Sequence, residues 1–210
     1  MTHDTTSPDT TSPDTTAPAG SALDETSLSR ERRDLLEVLR THRKFLVGTA
    51  SDLSDEQAAS TPTVSELSVG GIIKHVTATE QQWARFMTDG ASAFFGAPAD
   101  DEAPVSGAPD GSAVPDDVAA QWADGFRLVE GETLASVLAA YEEVAAATDL
   151  LVATLPSLDA DHPLPEAPWF EPGAAWSVRR CITHVVAETA QHAGHADIVR
   201  ETIDGRKSMG

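Results

Sequence analysis

Cysteine is almost missing from this chain. Of its 210 residues only Cys181 is a cysteine, so no intramolecular disulfide can form and a cysteine-rich zinc site is excluded. A reducing cytoplasm is the expected setting. No stretch approaches the roughly 18–20 apolar residues needed to cross a membrane, and the N-terminus has neither the basic start nor the apolar segment of an export signal. Aromatic residues make up 5% against 40% hydrophobic overall, with alanine abundant. That balance suits helix packing better than a β-sandwich. Basic residues are scarce as well: 14 Lys and Arg face 34 Asp and Glu, a formal charge of -20. Such a field repels phosphates and anionic headgroups, so neither nucleic acid nor a membrane is an expected partner.

What is present divides into a tail and a domain. The units Asp4 to Pro8, Asp9 to Pro13 and Asp14 to Pro18 repeat nearly the same five residues and offer no apolar surface to offset ordering entropy. Residues 1–24 are expected to be a disordered tail, and 25–210 one domain. From Ser27 apolar residues recur at steps of three and four (Leu28, Leu35, Leu36, Leu39, Leu46), predicting a first helix over about 27–51. A short helical turn is expected at 52–56, and a second helix over 69–88 with Ser68 as N-cap. Residues 90–116 read as a long surface insertion, with a small helix around 117–126 after it. A third long helix runs from Thr133 to about Leu155, where Pro156 stops it. The fourth opens at Ser177 and ends near Ile203, before the stop signal Asp204-Gly205. The expected fold is all-α, an antiparallel four-helix bundle behind a disordered N-terminal tail.

On the fourth helix His184, Glu188, His192 and His195 are spaced four, four and three apart, which puts them within roughly 80° of arc. His192 also falls inside the apolar stripe of that helix, so it points into the bundle. Burying an imidazole and a carboxylate one turn apart is costly unless a divalent cation is bound by both. On the second helix His75 is the candidate partner, although it falls about 100° from the centre of its own apolar stripe; Gly70 and Gly71 before it also permit close packing. From spacing alone the ligands are His75 with Glu188, His192 or His195, while His184 and His195 also read as rim residues or groups that orient the ligands. Glu80 faces the core and needs a partner. Arg43 and Arg200 are expected to pair with nearby carboxylates, and Cys181 to be a buried small hydrophobe.

The segments LSVGGIIKHVTATEQQW (67–83) and WSVRRCITHVVAETAQHAGHADIVRETIDG (176–205) resemble the actinobacterial branch of the DinB-like (DinB/YfiT) superfamily, over about residues 25–206. The second segment also resembles the metal-binding domain of the mycothiol-dependent maleylpyruvate isomerases. The resemblance implies a four-helix bundle holding a metal through one histidine of the second helix and two ligands, four apart, of the last. Those positions are His75, Glu188 and His192, with His195 the alternative third ligand because many relatives carry histidine where Glu188 stands. It also implies a metal-dependent thiol S-transferase, with mycothiol as cosubstrate and an electrophile as the second small-molecule partner. Zinc and nickel both suit these donors. Glu80 and His195, each within about a turn of a ligand, are the candidate proton-transfer residues. A non-catalytic metal- or ligand-binding bundle, a metal-dependent hydrolase and a homodimer are the alternatives to weigh.

Overall fold

A computed structural model describes residues 25–94 and 123–208. The expected tail, most of the 90–116 insertion, Trp122 and all but the end of the 117–126 helix lie outside the described residues. The order is a 3-10 turn at Glu25–Ser27, then α1 (Arg30–Gly48), α2 (Asp55–Ala59), α3 (Val69–Asp89) and a 3-10 turn at Gly90–Phe94. After the connection come α4 (Leu134–Thr154), β1 (Asp161–Pro163), β2 (Ala175–Ser177) and α5 (Val178–Asp204).

The helix boundaries follow from capping chemistry. Ser68 accepts from the Gly71 N–H at 3.1 Å and opens α3, and Ser177 accepts from the Arg180 N–H at 3.2 Å and opens α5. Thr133 and Ser136 form a capping box at the start of α4, whose Leu134 N–H also donates to Asp55 Oδ1 of α2 at 2.8 Å. Gly205, in the left-handed region at φ 78, ends α5. The first helix starts at Arg30, later than the apolar periodicity indicates, because Ser29 rather than Ser27 accepts from the Arg32 N–H.

The four long helices bundle as expected, with α1 antiparallel to α3 and α4, and α3 antiparallel to α5. Arg32 near the start of α1 donates to the Val152 and Leu155 carbonyls at the end of α4, while His75 and Trp83 of α3 meet His192 and His184 of α5 in reverse order. Lys74 early in α3 pairs with Glu132 just before α4, so α4 runs in the same sense as α3. Likewise α5 runs alongside α1: Arg179 at its start pairs with Glu31, and Arg200 near its end donates to the Thr49 carbonyl.

The parallel run of α3 and α4 departs from the antiparallel order expected of consecutive helices, and two further features were not expected. Residues 90–94 form a 3-10 turn that seats Phe94 against Trp83 and Phe86, with centroids 5.1 and 5.5 Å away, so the insertion begins as packed structure. Before α5, β1 and β2 pair antiparallel with His162 opposite Trp176. Three residues per strand leave no periodicity to read.

The core is in two parts. Toward one end Leu46, Val69, Ile72, Ile73, Val137 and Val199 pack together; toward the other Leu36, Leu39, Phe86, Met87, Ile182 and Val185 do. A buried polar layer lies between. Arg43 of α1 donates two hydrogen bonds to the carboxylate of Glu80 and one to Asp149 at 2.6 Å, and Glu80 is fully buried. Tyr141 and Thr189 are buried at the same level. This meets the need of a core-facing carboxylate for a partner, and Arg43 and Arg200 prove to be paired with carboxylates, as expected.

Candidate metal centre

The metal-ligand candidates converge where α3 crosses α5. One ligand atom each from His75, Glu188 and His192 lie within 4.8 Å of one another, and all three side chains are half-buried. The His75 and His192 rings are 4.9 Å apart between centroids, at 70°. His192 Nε2 is 3.5 Å from Glu188 Oε2. Around a tetrahedral ion with ligands at about 2.0–2.1 Å, donor atoms sit roughly 3.3–3.5 Å apart. One pair already meets that spacing, and the third donor needs a shift of an ångström or so, within reach of side-chain rotation.

Turn spacing along α5 explains half of this site. Glu188 and His192 are one turn apart and face the same way, while Thr189 and Ala193, the residue after each of them, are buried in the bundle. The other half comes from a close approach at the start of α3. A Cβ on Gly71 would lie 1.8 Å from the Phe126 carbonyl oxygen, and one on Gly70 2.9 Å from Leu128. Gly71 thus lets the Phe126 backbone, and Gly70 the Leu128 side chain, lie against the helix, and Phe126 stacks on His75 at 4.0 Å and 20°. Lys74 fastens this segment, donating to Glu132 at 2.7 Å and to the Arg127 carbonyl at 3.3 Å.

Burial sets the protonation state. It pushes the His75 and His192 imidazoles below their ordinary value, and the effect of burial exceeds the opposing pull of the Glu188 carboxylate. Both are neutral bases near pH 7, the form that binds a metal. Nδ1 of His192 and Nδ1 of His195 are buried without a hydrogen-bond partner among the described residues, an unusual state for buried polar atoms. Two imidazoles and a carboxylate form a donor set that fits a divalent cation.

The remaining candidates occupy distinct positions. His195 stands beside the triad, its ring 5.5 Å from that of His192. His184 faces Glu188 from the other side at 3.6 Å and rests edge-on against Trp83 and Trp176, at 4.9 and 5.1 Å. Glu80 belongs to the polar layer, its carboxylate engaged by Arg43. Cys181 is buried, and burial pushes its thiol up to about 12. Of the aromatics before α5, Phe170 packs on Trp176 while Trp169 stays 65% exposed.

Sequence reasoning missed Phe126 as a wall of the site, although Gly70-Gly71 beside His75 was the available signal for a close backbone approach. It also missed Asp149 as the third member of the Arg43 cluster; an acidic residue three before the buried Val152 on its helix was the available hint.

The sequence profile of the family described as Mycothiol-S-transferase matches residues 34–205. No functionally curated protein matches the chain. Among solved structures the chain is similar to a conserved protein from Enterococcus faecalis, with a TM-score of 0.55 and 13% identity, over 85% of this chain and 100% of that one. At that identity the likeness concerns the fold alone.

Proposed function

Because the chain belongs to the mycothiol-S-transferase family, we propose that it is a metal-dependent thiol S-transferase joining a low-molecular-weight thiol, such as mycothiol, to an electrophilic carbon. The observation that carries this reading is the convergence of His75, Glu188 and His192 from two helices. Three protein donors leave coordination positions open, as catalysis requires. A bound zinc or nickel ion would lower the pKa of a thiol at the site toward neutrality.

The protein's own residues do the rest. Neutral His75 and His192 present lone pairs, and Glu188 adds the negative charge that a dication needs. Phe126 on His75 holds one imidazole in place and keeps water from its face. His195, beside His192, takes the thiol proton or orients its neighbour. Glu80 serves from farther back: its ion pair with Arg43 fixes α3 against α1, so the proton-handling role falls to His195. The thiol comes from outside, since Cys181 is buried on the apolar side of α5. A reducing cytoplasm is the setting such chemistry needs, and residues 25–210 form the single domain that performs it. A homodimer is compatible with this reading.

The test is direct. Zinc-loaded protein is mixed with mycothiol and monobromobimane, with and without a chelator, and the conjugate is identified by mass. The sulfur displaces bromide and the thiol proton passes to the base. Conjugation above the uncatalysed rate that chelation removes supports the reading; conjugation at the uncatalysed rate in both samples ends it.

A further inference from the structure

The face of α5 that carries the triad continues toward the start of the helix, and there it presents a cation. Residues 180, 184, 188 and 192 follow one another at single turns. His192 meets Glu188 at 3.5 Å, Glu188 meets His184 at 3.6 Å, and the His184 ring meets Trp176 at 5.1 Å. The guanidinium of Arg180 lies over that same Trp176, 4.7 Å from the ring centroid. Trp83 stacks near Trp176 as well, at 4.7 Å and 14°, so the indole is a rigid rest for the arginine rather than a free surface.

Arg180 is unusual in this chain. With 34 acidic residues against 14 basic ones, most arginines are committed: Arg40, Arg43 and Arg200 to carboxylates, Arg32 to backbone carbonyls. Its neighbour Arg179 pairs with both Glu31 and Asp159. Arg180 is exposed and has no carboxylate within ion-pair distance among the described residues. Lys44 and Arg85 share that lack but line other grooves, between α1 and α4 and between α3 and α4, and Arg33, also without a carboxylate, donates to the Leu28 carbonyl. A guanidinium held by a ring face keeps its N–H edge free, and less conformational entropy is lost when it binds an anion.

We propose that Arg180 recognises an anionic group, a carboxylate or its like, on the electrophile whose reacting carbon is brought to the His75–Glu188–His192 centre. The proposal rests on the transferase reading and narrows it. Arg180 and Glu188 are eight residues apart, roughly 12 Å along a helix. The substrate class is thus an elongated electrophile with its negative charge about that far from the reactive carbon. In a protein so acidic a fixed cation also offsets the general repulsion of anions.

A matched pair of substrates tests this. Maleimidohexanoate and its primary amide have the same alkene and nearly the same length and differ in charge. In both, the mycothiol sulfur adds to one alkene carbon and the neighbouring carbon takes a proton from water, with no leaving group. The readout is the ratio of kcat/KM for the carboxylate over the amide, corrected for the uncatalysed reaction. Arg180→Gln is expected to lower that ratio about tenfold through KM, with Arg180→Lys recovering part of it, and neither changes zinc affinity. An unchanged ratio overturns the proposal. If the wild-type protein accelerates neither reaction, the transferase reading has failed separately. The anion site is then judged by calorimetric titration of succinimidohexanoate into wild-type and Arg180→Gln protein: tighter binding to wild type upholds it, and equal or absent binding overturns it.

Discussion

The imidazoles of His75 and His192 lie 4.9 Å apart between centroids, although they come from helices separated by most of the domain. The apolar stripes of α3 and α5 pack against each other just beneath them, through Ile72, Val76, Ala193 and Ala196. The packing that stabilises the bundle therefore also assembles the candidate metal centre. Four consequences can be measured, and a fifth decides the account.

Acid should empty the site within a defined window. Burial holds the His75 and His192 imidazoles below the ordinary value of about 6.5. At pH 7 both are neutral, and few protons leave when the metal binds. Affinity should be flat above about pH 6.5 and fall below the lowered pKa values, by up to about a hundredfold per unit once both rings are protonated. For the metal-free protein the linkage has the same sign: a base with a lowered folded pKa contributes full stability above its unfolded value and loses it as pH falls. Zinc competition against a chromogenic chelator between pH 5 and 8 measures the first effect, and urea unfolding the second.

Two glycines should respond oppositely to alanine. At Gly71 the new Cβ would meet the Phe126 carbonyl oxygen at 1.8 Å, whereas at Gly194 in α5 nothing lies within 4 Å. Gly71→Ala should displace the 126–128 segment, lower the melting temperature and weaken zinc binding, because Phe126 rests on His75. Gly194→Ala should stabilise by about 0.5–1 kcal/mol through the removal of unfolded-state freedom. Thermal denaturation of the two variants, paired with zinc titration, separates the outcomes.

The Arg43–Glu80 pair should be costly to break from one side. Glu80→Gln leaves a buried guanidinium with Asp149 as its remaining carboxylate, and a loss of about 3 kcal/mol is expected. Replacing both residues by leucine should cost less than the sum of the single changes. Zinc affinity should be retained in the variants that fold, as Glu80 acts through packing. Denaturant titration of the two single variants and the double variant measures the coupling.

Cys181 should be inert in the folded protein. Its thiol is buried and pushed up to about 12, so the reactive thiolate is scarce at pH 8. Ellman's reagent should find no thiol under native conditions and one per chain in guanidinium chloride. Rapid native labelling would mean that this face of α5 opens.

Much of this architecture was legible because it rests on local rules. Ser68, Thr133, Ser177 and Gly205 mark helix ends through hydrogen bonds to residues three or four away. His75, Glu188 and His192 were legible through turn spacing together with family resemblance; spacing alone left His195 among the ligands. What stayed hidden depends on contacts between distant segments. The β1–β2 pair spans three residues on each side, too short for a pattern. That α4 runs alongside α3 follows from where the connection returns, which Lys74 and Glu132 reveal only once folded. The seating of Phe126 on His75 is equally a tertiary event, foreshadowed only by the missing side chains of Gly70 and Gly71.

The most direct measurement is the electronic spectrum of the cobalt(II)-substituted protein before and after mycothiol is added. One cobalt per chain in a low-symmetry nitrogen and oxygen environment is predicted, with a new sulfur-to-cobalt charge-transfer band on adding the thiol. Both signals should vanish in His75→Ala and in His192→Ala proteins that keep wild-type helicity. Cobalt bound equally well by either variant, or a wild-type spectrum unchanged by the thiol, would contradict the account.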